Sequence, residues 1–207
     1  MNTKENGESI YPREERVREI FADTLTLQVG HFQLSSGRHT DKYIEKRQMY
    51  LHTQEMSEVC EMIAGDFRDK NVDVVVGPER GGIVLSFLTA SFLTKMTGRD
   101  ILNVFAQKKQ DGFEFHKDQG ELIRDKRVLI VDDVITTGES IVRVIKAVEE
   151  VGGEVIGAMV VCNRGNVKPE DIGVDKIHAL INLKLNTWSE DECPICKLHG
   201  QEDFQIT

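Results

Sequence analysis

Apolar residues recur along the chain in two rhythms. Val17, Ile20 and Phe21 fall at helical spacing and predict a first helix between Glu14 and Leu27. Pro12 suits the position just before it or its first turn. Met56, Val59, Cys60, Ile63 and Phe67 mark a second helix by the same spacing. Between them, Gly30–Glu45 reads as short extended pieces broken at Ser35, Ser36 and Gly37. The rhythm then changes. Val74–Val76, Ile101–Phe105, Val128–Val131, Val155–Cys162 and Ile177–Leu183 are short apolar runs that predict strands. Helices are predicted over Gly82–Lys95 and from Ile141 to Val151, the latter stopped by Gly152–Gly153.

Strands apolar on both faces and alternating with helices predict an α/β fold with a mostly parallel central sheet flanked by helices. Ligands in such folds bind beyond the carboxyl ends of the strands. Three polar turns fall there: Gly77–Gly82, Asp132–Ser140 and Asn163–Asn166. Residues 106–127 are polar, contain glycine and are long for a connection, which suits a lid or a protruding hairpin. The expected division is a helix and hood segment over 1–50, an α/β core over 51–185 and a tail over 186–207.

The 207 residues are 40% hydrophobic, enough for a core without staples. A net charge of -9 disfavours nonspecific nucleic-acid binding. Met1–Glu8 is polar, residues 1–10 read as a loose lead, and no apolar run nears the ~20 residues of a membrane span. The expectation is a cytoplasmic protein without membrane or nucleic-acid partners. Cys60 and Cys162 lie in apolar segments as buried thiols, which leaves Cys193 and Cys196. Their CxxC spacing supplies half of a tetrahedral Zn²⁺ site, with His199, Cys162 or a second copy to complete it; the alternative is a metal-free turn in the tail.

The densest chemistry is VLIVDDVITTGES, Val128–Ser140. Two carboxylates sit at the end of a buried strand, and hydroxyls and a glycine lead into a helix. Amides at a helix start favour a phosphate, and carboxylates accept from sugar hydroxyls or attract Mg²⁺. A phosphorylated sugar satisfies both ends; an Asx-type turn with an ordinary N-cap is the plainer reading. GxxxxGK[ST] is absent, as is GxGxxG after the first strand, so other nucleotide motifs are not supported.

This stretch resembles the ribose-phosphate signature of type I phosphoribosyltransferases. GHFQLSSGRHTDKYIEK, Gly30–Lys46, resembles the hood of the orotate enzymes; GPERGGI, Gly77–Ile83, resembles their diphosphate turn; and Asn163–Arg164 follows a strand where the family usually has Asp-Arg. The resemblance implies Mg²⁺-dependent transfer of a 5-phosphoribosyl group from 5-phosphoribosyl 1-diphosphate to a base, with orotate the best-fitting acceptor. It implies that Asp132 and Asp133 hold the ribose hydroxyls, directly or through Mg²⁺. Thr136, Thr137, Gly138 and Ser140 would cradle the 5′-phosphate, with Val134, Ile135 and the Glu139 amide also at the substrate and the Glu139 carboxylate pointing away. Arg80 would meet the departing diphosphate, and Arg164 the base. Ser36 and Arg38 would belong to the hood over the base, where the family often has Lys-Ser-Gly-Arg and this chain has Ser35 in place of the lysine. Lys108 and Lys109 would open a loop that serves the partner subunit of a homodimer, while His116 reads as a surface histidine. Another pyrimidine or purine acceptor, and a non-catalytic protein that senses the phosphoribosyl donor, are the alternatives.

Overall fold

Uniformly apolar sequence becomes the centre of the sheet. In the computed structural model, which describes residues 13–34, 36–199 and 205–206, the chain divides into two compact units: Met1–Glu55 with Leu183–Thr207, and Met56–Asn182. The expected loose lead over 1–10 and Ser35 lie outside the described residues.

The larger unit is built on β3 (Val74–Pro78), β4 (Leu102–Lys109), β5 (Gly112–Glu114), β6 (Arg127–Ile135), β7 (Glu154–Asn163) and β8 (Ile177–Asn182), with β1 and β2 in the smaller unit. They form one sheet in the order β5-β4-β3-β6-β7-β8. All neighbours are parallel except the β4–β5 hairpin. Strand alternation divides the core. Val74, Val76, Val128, Ile130, Ala158 and Val160 share one cluster with Ile141, Val144, Ile145 and Val148 of α6 (Glu139–Glu150). Val75, Leu129, Val131, Met159 and Val161, of the other parity, are equally buried. The remaining helices of this unit are most of α3 (Thr53–Phe67), α4 (Gly81–Thr97), α5 (Lys117–Ile123) and α7 (Pro169–Ile172). Cys60 of α3 lies 4.0 Å from the Leu85 carbonyl of α4, and burial pushes its thiol up to about 12.

The connection 106–127 differs from its expectation. β4 runs on to Lys109 and folds back through β5, so the hairpin exists. It does not protrude freely, because Phe113 is buried in the α6 cluster. The rest is α5, whose Ile123 is fully buried. Its short apolar content hid the helix.

The smaller unit holds α1 (Arg13–Asp23), the antiparallel pair β1 (Leu27–Gln33) and β2 (His39–Ile44), α2 (Lys46–Leu51), a 3₁₀ turn at Glu190–Glu192, α8 (Pro194–His199) and β9 (Gln205–Ile206). α1 ends before Leu27 because Thr24 donates its hydroxyl to the Ile20 carbonyl and Leu25 turns to φ 56°. The C-terminal segment belongs to this unit through pairing: β9 lies parallel to β1, and His39 and Trp188 exchange backbone hydrogen bonds of 2.8 and 2.9 Å.

Ile130 is fully buried in the central strand. Ile130→Ala should lower the unfolding free energy by about 2–5 kcal/mol, read from the urea midpoint.

Candidate active site

The order of strands fixes where the polar turns meet. From β3 the chain steps to β4 on one side, then returns to β6 on the other. β3 and β6 therefore flank the topological switch point, where α/β sheets open a crevice at their carboxyl ends. The ladder between them ends at Val76–Ile130, whereas β6 stays paired with β7 as far as Ile135–Asn163. Asp132, Asp133 and Val134 thus continue beyond the last β3 pair.

The sequence reading ended this strand at Val131; the structure carries it through both aspartates. They are buried, with Asp132 Oδ1 accepting the Asp133 amide at 2.8 Å and Asp133 Oδ1 accepting the Val134 amide at 2.7 Å. Local bonds of this kind fix the carboxylates at the strand tip. Their hard oxygens are the ligand type Mg²⁺ takes.

Beyond β6 the chain turns into α6. Thr136, Thr137 and Ser140 are exposed, and Gly138 caps the helix at φ 85°. A Cβ on Gly138 would lie 2.5 Å from Ile172 Cγ2, so glycine is required by conformation and by space. Glu139 lies 3.6 Å from Arg143, one turn along the helix. Ile135 contributes its backbone, because its side chain is in the core. Its carbonyl accepts the Arg164 amide at 2.9 Å and the Gly165 amide at 3.3 Å. Gly165 passes so close to Thr136 that any side chain there would collide with the Thr136 carbonyl. Arg164 is half-buried on this joined pair of turns.

Asn163 turned out to have a local task. Its Nδ2 donates to the Val167 carbonyl at 2.9 Å and its Oδ1 accepts the Val167 amide at 3.0 Å. An aspartate offers two acceptors and no donor. The change from the family's usual residue therefore fits the turn 163–167 and says nothing direct about the acceptor.

On the other flank, β3 leads into the turn Gly77–Gly82. A Cβ on Gly77 would strike the Gly82 carbonyl, and one on Gly82 would lie 2.5 Å from Pro78 Cδ. Both glycines are needed for the turn to close on itself. Glu79–Arg80 is a cis peptide bond, and Arg80 is exposed at the start of α4. Glu79 ties this turn to β4: its amide donates to Ala106 O at 3.0 Å and its Oε2 accepts the Lys108 amide at 3.0 Å. Lys108 is exposed within β4 rather than in a loop, and Lys109 lies 3.7 Å from Glu114 across the hairpin. His116 is exposed and precedes α5.

Ser36 and Arg38 belong to the smaller unit, in the β1–β2 turn. Arg38 donates through Nε to Thr187 Oγ1 at 3.1 Å and through Nη2 to the Thr187 carbonyl at 2.8 Å. Cys193 and Cys196 also lie in this unit, grouped with His31 and His39. Cys162 is buried in β7 and is not part of that group. The side chain of His199 lies outside the described residues. Sequence reasoning missed the Asn163 lock, the Gly165 contact and the Glu79 tie. A glycine directly after Arg164 was the one visible hint.

Asn163→Asp should cost about 1–3 kcal/mol at neutral pH, because the Val167 carbonyl loses its donor. Chemical denaturation of the two proteins checks this.

Residues 46–194 match the family model of the phosphoribosyl transferase domain. The chain is 34% identical to the orotate phosphoribosyltransferase of Desulforamulus reducens, covering 88% of this chain and 91% of that one. It is 35% identical to the enzyme of that name from Chlorobium phaeobacteroides, covering 86% and 88%. Among solved structures, the orotate phosphoribosyltransferase of Mycobacterium tuberculosis superposes with a TM-score of 0.66 at 27% identity, covering 84% of this chain and 97% of that one.

Proposed function

The chain belongs to the phosphoribosyltransferase family, and from that premise we propose that it makes orotidine 5′-phosphate and diphosphate from orotate and 5-phosphoribosyl 1-diphosphate. The observation that supports this most is the switch point between β3 and β6, where a glycine-built turn follows β3, and two fixed aspartates and a glycine-capped helix start follow along β6. Relatives that bear the orotate enzyme's name over most of their length support orotate as the acceptor.

In this reading the 5′-phosphate takes the first amides of α6 and the hydroxyls of Thr136, Thr137 and Ser140. Asp132 and Asp133 accept hydrogen bonds from the ribose hydroxyls. As the C1–O bond to diphosphate breaks and C1–N to the base forms, the sugar ring gains positive charge. The two carboxylates offset that charge at fixed distance, without reorganising. Arg80 and Lys108 supply positive charge for the leaving diphosphate, and the Arg164 fork suits an anionic, planar base. Ser36 and Arg38 keep the acceptor role that the resemblance gives them. Asp132 and Asp133 would hold Mg²⁺, directly or through water, and the bound ion would supply positive charge against the diphosphate.

A homodimer is also part of the proposal. α4 leaves Val84 and Phe87, three residues apart on one helix face, exposed at 43% and 60%. An apolar helix surface of this kind suits a second copy. Among the described residues no helix is long and apolar enough to cross a membrane, and we place the protein in the cytoplasm.

With Mg²⁺ and the phosphoribosyl donor, orotate absorbance should fall. Replacing both Asp132 and Asp133 by Asn should lower kcat by about 10²-fold or more while the unfolding midpoint moves little. Turnover with a different base alone would reassign the acceptor, and donor binding without product from any base would make this a sensor. For the dimer, light scattering behind size exclusion should give twice the chain mass, and Phe87→Glu should shift it toward monomer.

A further inference from the structure

The smaller unit carries a set of soft ligands that the transfer reaction does not use. His31 is in β1, His39 in β2, and Cys193 and Cys196 flank the start of α8. Their ligand atoms all lie within 4.8 Å of one another. His31 Nε2 is 3.0 Å from His39 Nδ1, 3.5 Å from Cys193 Sγ and 3.4 Å from Cys196 Sγ, and His39 Nδ1 is 3.2 Å from Cys196 Sγ. Zinc takes sulfur at about 2.3 Å and nitrogen at about 2.0–2.1 Å, so tetrahedral ligand atoms sit roughly 3.3–3.8 Å apart. The cluster has nearly that size and the right composition.

The backbone is shaped to bring these atoms together. The β1–β2 ladder shifts register between Val29 and Phe32, so Gly30 and His31 together stand opposite Asp41. A bulge re-aims a side chain, and here it brings His31 to His39 with ring centroids 4.9 Å apart. Cys193, His39 and His31 are 0%, 1% and 7% exposed, and Cys196 is half-buried. Four polar groups gathered in one buried spot are costly to desolvate unless something binds them together.

We infer that His31, His39, Cys193 and Cys196 bind one zinc ion as a closed, structural Cys₂His₂ site. All four positions are filled by protein, which leaves none for a catalytic water. The three His–Cys contacts in the cluster join residues 157, 162 and 165 apart in sequence. A clip that closes so long a loop constrains the unfolded chain strongly. Locally it fastens both strands that bound the Ser36–Arg38 turn to the C-terminal segment, alongside the His39–Trp188 and Arg38–Thr187 hydrogen bonds.

The test uses the full chain, purified under reducing conditions and dialysed against metal-free buffer. Elemental analysis should find about one zinc per chain. Cys196→Ser and His31→Ala should each lose it. Because either variant can fail to fold, the wild type is also stripped with a chelator and refilled with Co²⁺. Thiolate-to-metal charge transfer and the intense visible bands of tetrahedral cobalt should appear. Amide exchange at Gly37 and His39 should speed up on stripping and slow again on refilling with zinc. Reduced protein that retains no zinc and gives no such cobalt spectrum would overturn the proposal. So would undiminished zinc in the Cys193→Ser/Cys196→Ser variant, or a Cys193–Cys196 disulfide in place of metal.

Discussion

One backbone carbonyl organises the candidate active site. Ile135 O, at the last residue of β6, accepts amides from Arg164 and Gly165 beyond the end of β7. This double acceptance joins two strand ends that would otherwise carry separate turns. The side chain of Ile135 is meanwhile held in the core. The turn between β6 and α6 therefore starts from a rigid point, and the Arg164 backbone is positioned by the same bond. Gly165 is the condition for it, since a side chain there would occupy the place of the Thr136 carbonyl. Asn163, clamped to Val167, keeps the second turn closed so that the bond can form.

The same logic of close backbone approach governs the opposite flank. Gly77 and Gly82 touch across the β3–α4 turn, and Glu79 ties that turn to β4. Fixed polar groups at the edge of a buried parallel sheet stabilise developing charge because they do not need to reorient when it appears. A sheet with Val75, Val76, Leu129 and Ile130 fully buried supplies the stiffness. The smaller unit is held differently, by short pairings between distant parts of the chain and by the four-ligand cluster.

Much of this was legible in the sequence, for a physical reason. Runs such as Val74–Val76 and Val128–Val131 are apolar at every position, which only a strand covered on both faces tolerates. The helical faces of α3 and α6 are equally plain. The turn between β6 and α6 was legible because its pattern is local: hydroxyls, a glycine and a helix start lie within a few residues. Elements with little apolar content escaped, among them α5, α7 and the two-residue β9. Asn163 pairs with Val167, four residues on, a local contact that no pattern in the sequence signals. The His–Cys cluster was half visible. Cys193 and Cys196 announce themselves by spacing, but His31 and His39 lie at the other end of the sequence and only strand pairing brings them in.

The proposed reaction depends on the β6–α6 junction gripping the phosphoribosyl donor. Amide hydrogen exchange, followed with and without Mg²⁺ and 5-phosphoribosyl 1-diphosphate, tests it most directly. Exchange should slow on donor binding at the amides of Thr137–Ser140, with a smaller effect at Arg80–Gly82. Unchanged exchange across Thr137–Ser140 in protein saturated with the donor would contradict it.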